Sequence, residues 1–326
     1  MREVAWNEAG GSQIVAAIDA GTNSVHLLVA EASGRSLRPM ADEKIFVRLG
    51  SAVERGHLGP ARDELVAAIS HFTDLARDLG AHRIAIVGTE PLRRVADADD
   101  VVEEVKRSTG VPLDVLSHEE EGLLTLLGVT LGDQVEHELV VADVGGGSSE
   151  LVMVGPGRPP LAVGLRLGSA RLIERHAEHD PPTSAELDAM RRAAEAVLAS
   201  APDATPTEMV AVGGTATNLL PILPLAVEDR CLDHERIESA CQQLMAEPST
   251  AAAERYLIHS VRARTLPAGA AILAALLDRY RLDRLTVSDA SLREGAAIAL
   301  ARAGLAWRAA LPALAGSRPS SAASAK

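Results

Sequence analysis

Aromatic residues are nearly absent from this chain: two Trp, two Tyr and two Phe among 326 residues. Its cores must therefore be built from Ala, Val, Leu and Ile. Cysteine is equally scarce. Cys231 and Cys241 stand ten residues apart and outside every glycine-rich turn, which excludes a disulfide framework and reads as two thiols in a reducing compartment. No apolar run reaches the ~18 residues of a bilayer span. The longest, GAAILAALL at 269–277, reads as part of a core helix. The N-terminal MREVAWNEAGGSQ has no apolar h-region and carries acids, so it does not read as a signal peptide, and a cytoplasmic protein without a membrane partner is expected. Positive charge is also in deficit: 32 Lys and Arg face 45 Asp and Glu, for a net charge of −13. That sign argues against a nucleic-acid partner. An anionic ligand would have to be held by local arginines, backbone N–H groups and metal ions.

What the chain does have is a repeated phrase. Residues 14–31 read IVAAIDAGTNSVHLLVAE and residues 139–154 read LVVADVGGGSSELVMV. With an offset of 124, Asp19 falls on Asp143, Gly21 on Gly145, Ser24 on Ser148 and Leu27 on Leu151. In each copy an apolar strand stops at a carboxylate and turns through small polar residues. Such a turn places backbone N–H groups beside an acid able to bind metal. Two of them facing one another would grip a polyphosphate from both sides.

Around these phrases the chain alternates strands and helices. The first half predicts strands at 14–31, 45–48, 84–87 and 113–116. Helices are predicted over 62–79, where Leu65, Ile69, Phe72, Leu75 and Leu79 form one stripe ended by Gly80, over 101–107, and from 119. The second half repeats the order, with strands at 139–154, 161–163, 209–212 and 285–288 and helices over 185–198, 268–280 and 293–305. Residues 219–258 read as helical in pieces. The pattern is that of mixed sheets flanked by helices. The length allows two domains, divided at the polar stretch near residue 133 into 1–132 and 133–312, with 313–326 a disordered tail.

Several side chains in this frame suit phosphate chemistry. Asp19 suits a metal or water, and Gly21, Thr22, Asn23 and Ser24 suit phosphate oxygens. Gly145, Gly146 and Gly147 supply no packing and are offset by close approach of their N–H groups to an anion. Ser148 follows them, and Asp143 and Glu150 bracket the turn with two acids for a divalent cation. A third turn, with Gly213, Gly214 and Thr215, leads from a strand into a helix, which is also a ready anion site. Glu119, Glu120 and Glu121 open a helix, where carboxylates suit the macrodipole, and one of them aimed inward would serve as a general base. One of Arg93 and Arg94 would clamp phosphate. His118, His176 and His179 lack metal-ligand spacing and read as surface or supporting residues.

Together these motifs resemble the exopolyphosphatase/guanosine pentaphosphate phosphatase family of the actin-like, sugar-kinase and heat-shock ATPase superfamily. The resemblance runs from about Gln13 to Leu305. It includes FVRLG (46–50), GTEPLRR (88–94), EEGLLTLLGV (120–129), LGSARLIERHAEHDPPTSAEL (167–187), AVGGTATNL (211–219), RARTLPAGAAIL (262–273) and SLREG (291–295), besides the two repeated phrases. It implies an α/β fold of two RNase H-like domains, each a mixed five-stranded sheet flanked by helices, with an active-site cleft between them. It also implies hydrolysis of a terminal phosphoanhydride by water with Mg²⁺, or Mn²⁺ in its place. By position, Glu121 is the catalytic base, and Asp143 and Glu150 are the metal and water-orienting carboxylates. Asn23, Arg93, Gly145, Gly146, Gly147 and Ser148 are phosphate ligands.

The expected activity is an exopolyphosphatase acting on inorganic polyphosphate, with guanosine pentaphosphate as the alternative substrate and a homodimer implied by the resemblance. A non-catalytic sensor and a kinase of the same superfamily are the further readings. The triplet glutamates and the LREG ending weigh against a kinase. Two departures stand out. TEPLRRVAD (89–97) replaces the family's T-S-A-x-R-D-A-x-N, which places Glu90 and Arg94 beside Arg93. The sequence has no stretch like the helical extension with HD-type motifs of long members, so a chain resembling the short form is expected.

Overall fold

A computed structural model of the chain describes residues 12–33, 36–47 and 49–316. Residues 1–11 of the N-terminal segment, Arg48 of the expected third strand and residues 317–326 of the expected tail lie outside the described residues. The chain divides into two compact units. The first holds the described residues up to Glu136, Gly157–Pro160 and those from Ala290 onward, and the second holds His137–Pro156 and Leu161–Asp289.

In the first unit the strands are β1 (Gln13–Ala20), β2 (Ser24–Ser33), β3 (Ser36–Phe46), β4 (Arg83–Gly88) and β5 (Leu113–Val115), in the order β3-β2-β1-β4-β5. β1 pairs antiparallel with β2 and parallel with β4, and β4 pairs parallel with β5. The central β1 is an unbroken apolar run because helices cover both faces of the sheet. The helices are α1 (Gly50–Glu54), α2 (Ala61–Asp78), α3 (Glu90–Arg94), α4 (Ala98–Thr109) and α5 (His118–Thr130), joined by α13 (Leu292–Ala303) and α14 (Trp307–Gly316) from the C-terminal part of the chain. α2 buries Leu65, Ile69 and Phe72 as its spacing predicts, and Gly80 just beyond it takes the left-handed conformation at φ 85°.

Two expectations change here. The third strand starts at Ser36, nine residues before the predicted Ile45. β3 is an edge strand with mostly exposed side chains and Pro39 opposite a bulge at Val29/Ala30, so it carries no apolar alternation for the eye to find. The 133–312 domain also loses its last segment. α13 packs on α5, β1 and β2 of the first unit, and residues 313–316 continue α14 as helix where the tail was expected to begin.

In the second unit β6 (Leu139–Val144), β7 (Ser149–Val154), β8 (Leu161–Leu165), β9 (Glu208–Val212), β10 (Cys231–Asp233) and β11 (Arg284–Val287) form a sheet in the order β10-β11-β9-β6-β7-β8. Without β10 this is the first sheet again: an antiparallel meander of three strands followed by two parallel ones. The sixth strand, β10, comes from the region read as helical pieces and pairs antiparallel with β11. The helices are α6 (Ser169–His176), α7 (Ser184–Leu198), α8 (Gly213–Leu219), α9 (Pro224–Asp229), α10 (His234–Met245), α11 (Ser249–Tyr256) and α12 (Ser260–Tyr280). α12 runs through Pro267, where the sequence suggested a start, and packs against α6, α7, α8, α10 and α11. By length and hydropathy α12 and the run Leu292–Gly316 are each long and apolar enough to cross a membrane. For α12, 72% of that window is buried in the protein, as in a core helix. Both cysteines are free thiols. Burial pushes Cys241 up to about 11, so it is an inert packing group at neutral pH.

Candidate active site

The repeated phrase is a repeated structure. Gly21 donates its N–H to Ser24 O at 3.1 Å, and Gly145 donates to Ser148 O at 3.0 Å. Asp19 stands opposite His26 across the first hairpin, and Asp143 stands opposite Glu150 across the second. On their other side the two aspartates pair with Val87 of β4 and Val212 of β9. The offset of 124 thus holds in backbone pairing as well as in residue type.

In the first turn the carbonyls of Thr22 and Asn23 accept the N–H groups of Leu49 (2.8 Å) and Val47 (3.1 Å), which fixes the turn against the chain leaving β3. The Thr22 hydroxyl donates to Glu90 Oε2 at 3.3 Å, and the buried Ser24 hydroxyl bonds His26 Nε2 at 2.7 Å. Glu90 is buried and paired with Arg94 at 2.8 Å. The two departures beside Arg93 therefore neutralise one another and tether the first turn. Arg293, in the first turn of α13, bonds Asp42; burial opposes its charge, and Glu294, then Asp42 and last Asp19 outweigh that burial and hold it protonated.

The glutamate triplet separates into three roles. Glu119 is exposed. Glu120 closes a capping box with Ser117, accepting the Ser117 N–H at 2.8 Å while the Ser117 hydroxyl accepts the Glu120 N–H. Arg308 of α14 holds that same carboxylate and reaches Val115 O at 3.0 Å, and its hydrogen bond is the main force keeping Glu120 below the usual carboxylate range. Glu121, only 7% exposed, is the buried residue of the first turn of α5. Arg93 donates to Glu121 Oε2 at 2.7 Å, to Leu116 O at 2.9 Å and to His118 Nδ1 at 3.1 Å. Because a guanidinium only donates, His118 must accept through Nδ1 and carry its proton on Nε2. Burial, and then the charge of Arg93, push the His118 pKa down, which keeps the ring neutral. His118 thus supports the arginine that grips the glutamate.

In the second unit Asp143 and Glu150, the latter 2% exposed, occupy directly opposite positions on one face of the hairpin. Like charges so placed repel, and a divalent cation is the group that would suit both, so the donors present fit Mg²⁺ or Mn²⁺. In the first hairpin His26 takes the place that Glu150 takes here. Of the three expected metal ligands, then, two are neighbours, and Asp19 belongs to the other unit. Burial raises Asp143 to about 6, with Arg262 of α12 pulling the other way.

The glycines of the third turn also make space for neighbouring side chains. Gly213 has φ 80°, and a Cβ there would lie 2.5 Å from Asp143 Oδ1; a Cβ on Gly214 would lie 2.7 Å from the Arg262 guanidinium carbon. These glycines make room for a carboxylate and an arginine. Thr215 is buried with its methyl against Gly269, so it packs α8 onto α12. Arg262 was missed in the sequence. Its signal was the RARTLPAG motif, whose first arginine sits in the first turn of the long apolar helix α12.

The raised Asp143 pKa has a sign that can be checked. Between the ordinary value near 4 and about 6, the native carboxyl holds a proton that the unfolded chain has lost, so stability falls as pH rises across that window. Asp143→Asn removes this contribution. In chelator-treated protein, the stability difference between variant and wild type should move in the variant's favour from about pH 4.5 to pH 7. Urea unfolding at the two pH values measures it, and parallel behaviour of the two proteins would show Asp143 titrating normally.

Comparison with known proteins agrees with this fold. The Ppx/GppA phosphatase family matches residues 28–302. A Vibrio atlanticus protein named guanosine-5'-triphosphate,3'-diphosphate pyrophosphatase is 29% identical over 292 residues, covering 87% of this chain and 58% of the relative. The chain thus spans under two thirds of that protein's length. The crystal structure of the Aquifex aeolicus Ppx/GppA family member superposes with a TM-score of 0.77 at 27% identity, covering 89% of this chain and 98% of that one. An exopolyphosphatase from Cytophaga hutchinsonii, 21% identical with a TM-score of 0.78 over 87% of this chain and 96% of its own, shares the fold.

Proposed function

We propose that this chain, which belongs to the Ppx/GppA phosphatase family, hydrolyses a terminal phosphoanhydride and releases orthophosphate. The observation that carries the reading is the buried Glu121 carboxylate gripped by Arg93. A carboxylate so fixed can take a proton from the attacking water as its oxygen bonds to the terminal phosphorus and the bridging P–O bond breaks. Backbone N–H groups of the two glycine turns hold phosphate oxygens in this reading. Asp143 and Glu150 hold Mg²⁺, which when bound supplies charge neutralisation to the phosphates.

Guanosine pentaphosphate ranks first as substrate, because the curated relatives at 27–29% identity carry that activity in their names. This reverses the order expected from the sequence. Inorganic polyphosphate stays as the second reading, favoured by a chain with six aromatic residues in all from which to build a base-stacking pocket. The test is orthophosphate release with Mg²⁺ from guanosine pentaphosphate, short polyphosphate and long polyphosphate in parallel. Release from the nucleotide alone supports the first reading, and release from polyphosphate alone the second. Binding without release from any of them would make the protein a sensor and overturn the hydrolase.

Arg93→Ala is expected to raise KM about tenfold through the lost phosphate contact. It should also lower kcat, because Glu121 and His118 lose the group that orients them. A change in KM alone would separate Arg93 from the base.

A further inference from the structure

The carbonyl oxygens of the second glycine turn are all drawn to one place. Ser169 N–H donates to Gly145 O at 2.9 Å, Arg171 N–H to Gly146 O at 3.0 Å, and Arg171 Nε–H to Gly147 O at 2.8 Å. The Ser169 hydroxyl adds a second bond to Gly145 O at 3.3 Å. Just after the turn, the Ser149 hydroxyl donates to Leu167 O at 2.6 Å, holding the other end of the segment 167–171. The approach is so close that a Cβ on Gly168 would overlap the Gly146 carbonyl. Arg171 itself is 5% exposed. A buried guanidinium is costly to desolvate, and this one is committed to a loop carbonyl.

A trans peptide unit points its N–H opposite to its C=O. Three successive carbonyls drawn toward α6 therefore turn the N–H groups of Gly146, Gly147 and Ser148 to the opposite face. That is the arrangement of an anion nest, with a buried positive charge behind it. We infer that Arg171 is the positioning residue of this turn: its guanidinium fixes the Gly147–Ser148 peptide plane and its backbone N–H the Gly146–Gly147 plane, while Ser169 fixes the plane before them, so that the three N–H groups face a terminal phosphate. The inference rests on the reading of the turn as a phosphate site. It gives a role to the LGSAR motif, which the base and the carboxylates leave unexplained.

The test uses inorganic tripolyphosphate as probe on the full chain, with ¹⁵N-glycine and ¹⁵N-serine labelling. In the wild type, the amide signals of Gly146, Gly147 and Ser148 should shift on titration. Arg171→Lys keeps a cation but has no Nε–H, and should bind tripolyphosphate at least about tenfold more weakly. Arg171→Ala should show the same loss, and added ethylguanidinium should restore part of it. Restoration of affinity is a result that a merely structural role would not give. Should Arg171→Ala fail to fold, the lysine variant and the wild-type titration still decide the matter. Unmoved loop amides, or wild-type affinity in a folded Arg171→Lys, would overturn the inference. Failure of the proposed function has a different signature: tripolyphosphate shifts the loop amides, yet no substrate releases phosphate.

Discussion

Glu121→Gln should lower kcat for phosphate release by about 10²–10⁴-fold, the range that a positioned general base contributes, with little change in substrate binding. The amide keeps the side-chain shape and an oxygen for Arg93 Nη1, so the buried ion pair becomes a neutral hydrogen bond without leaving a cavity. What it loses is basicity. Glu120→Gln is the matched control, because Glu120 serves the capping box and Arg308. It should cost about 1 kcal/mol of stability and leave kcat within a few-fold of the wild type. Steady-state kinetics on both variants decide the assignment. Equal losses would mean that the helix start as a whole, and no single carboxylate, supports turnover. An unchanged rate in Glu121→Gln removes the base from the mechanism.

Gly295→Ala should destabilise the first unit by about 3 kcal/mol, at the upper end of overpacking. The new methyl would land on the Leu124 carbonyl oxygen of α5, and a methyl on Gly128 would land on the Ser291 carbonyl oxygen of α13. Leu124 and Gly128 lie one turn apart on α5, and Ser291 and Gly295 one turn apart at the start of α13. The helices therefore meet backbone to backbone, where no side chain can rotate away. Relief requires moving a whole helix, and α5 carries Glu121 one turn before Leu124. The variant should accordingly unfold at lower urea, and the protein that stays folded should turn over more slowly. A wild-type unfolding midpoint would show that the two helices have space to part.

Much of this was legible in the residues. The two strand-turn-strand phrases became two hairpins with the same turn hydrogen bond, because an apolar run ending in Asp-x-Gly has few ways to turn. The α2 stripe and its Gly80 stop became a helix with a left-handed residue beyond its end. What failed to show was whatever lacked a pattern. β3 is exposed and polar along most of its length, and β10 is three residues long. Pro267 sits inside α12, although proline most often marks a boundary. At the site, the glycines of 213–214 were visible as glycines, but the side chains they accommodate, Asp143 and Arg262, are distant in sequence.

The sequence by itself determined the elements, the duplicated turns and the residue types available for phosphate chemistry. These follow from backbone preferences and apolar periodicity expressed within a few consecutive residues. Only the tertiary structure decided how the glutamates divide their work, with Arg308 claiming Glu120 and Arg93 claiming Glu121. It alone returned 290–316 to the first unit, where the SLREG glycine meets the glycine of α5. It also decided that Arg171 braces the second turn from behind. Such pairings depend on which faces of distant elements come together. That is fixed by packing over the whole unit, and no short stretch of sequence records it.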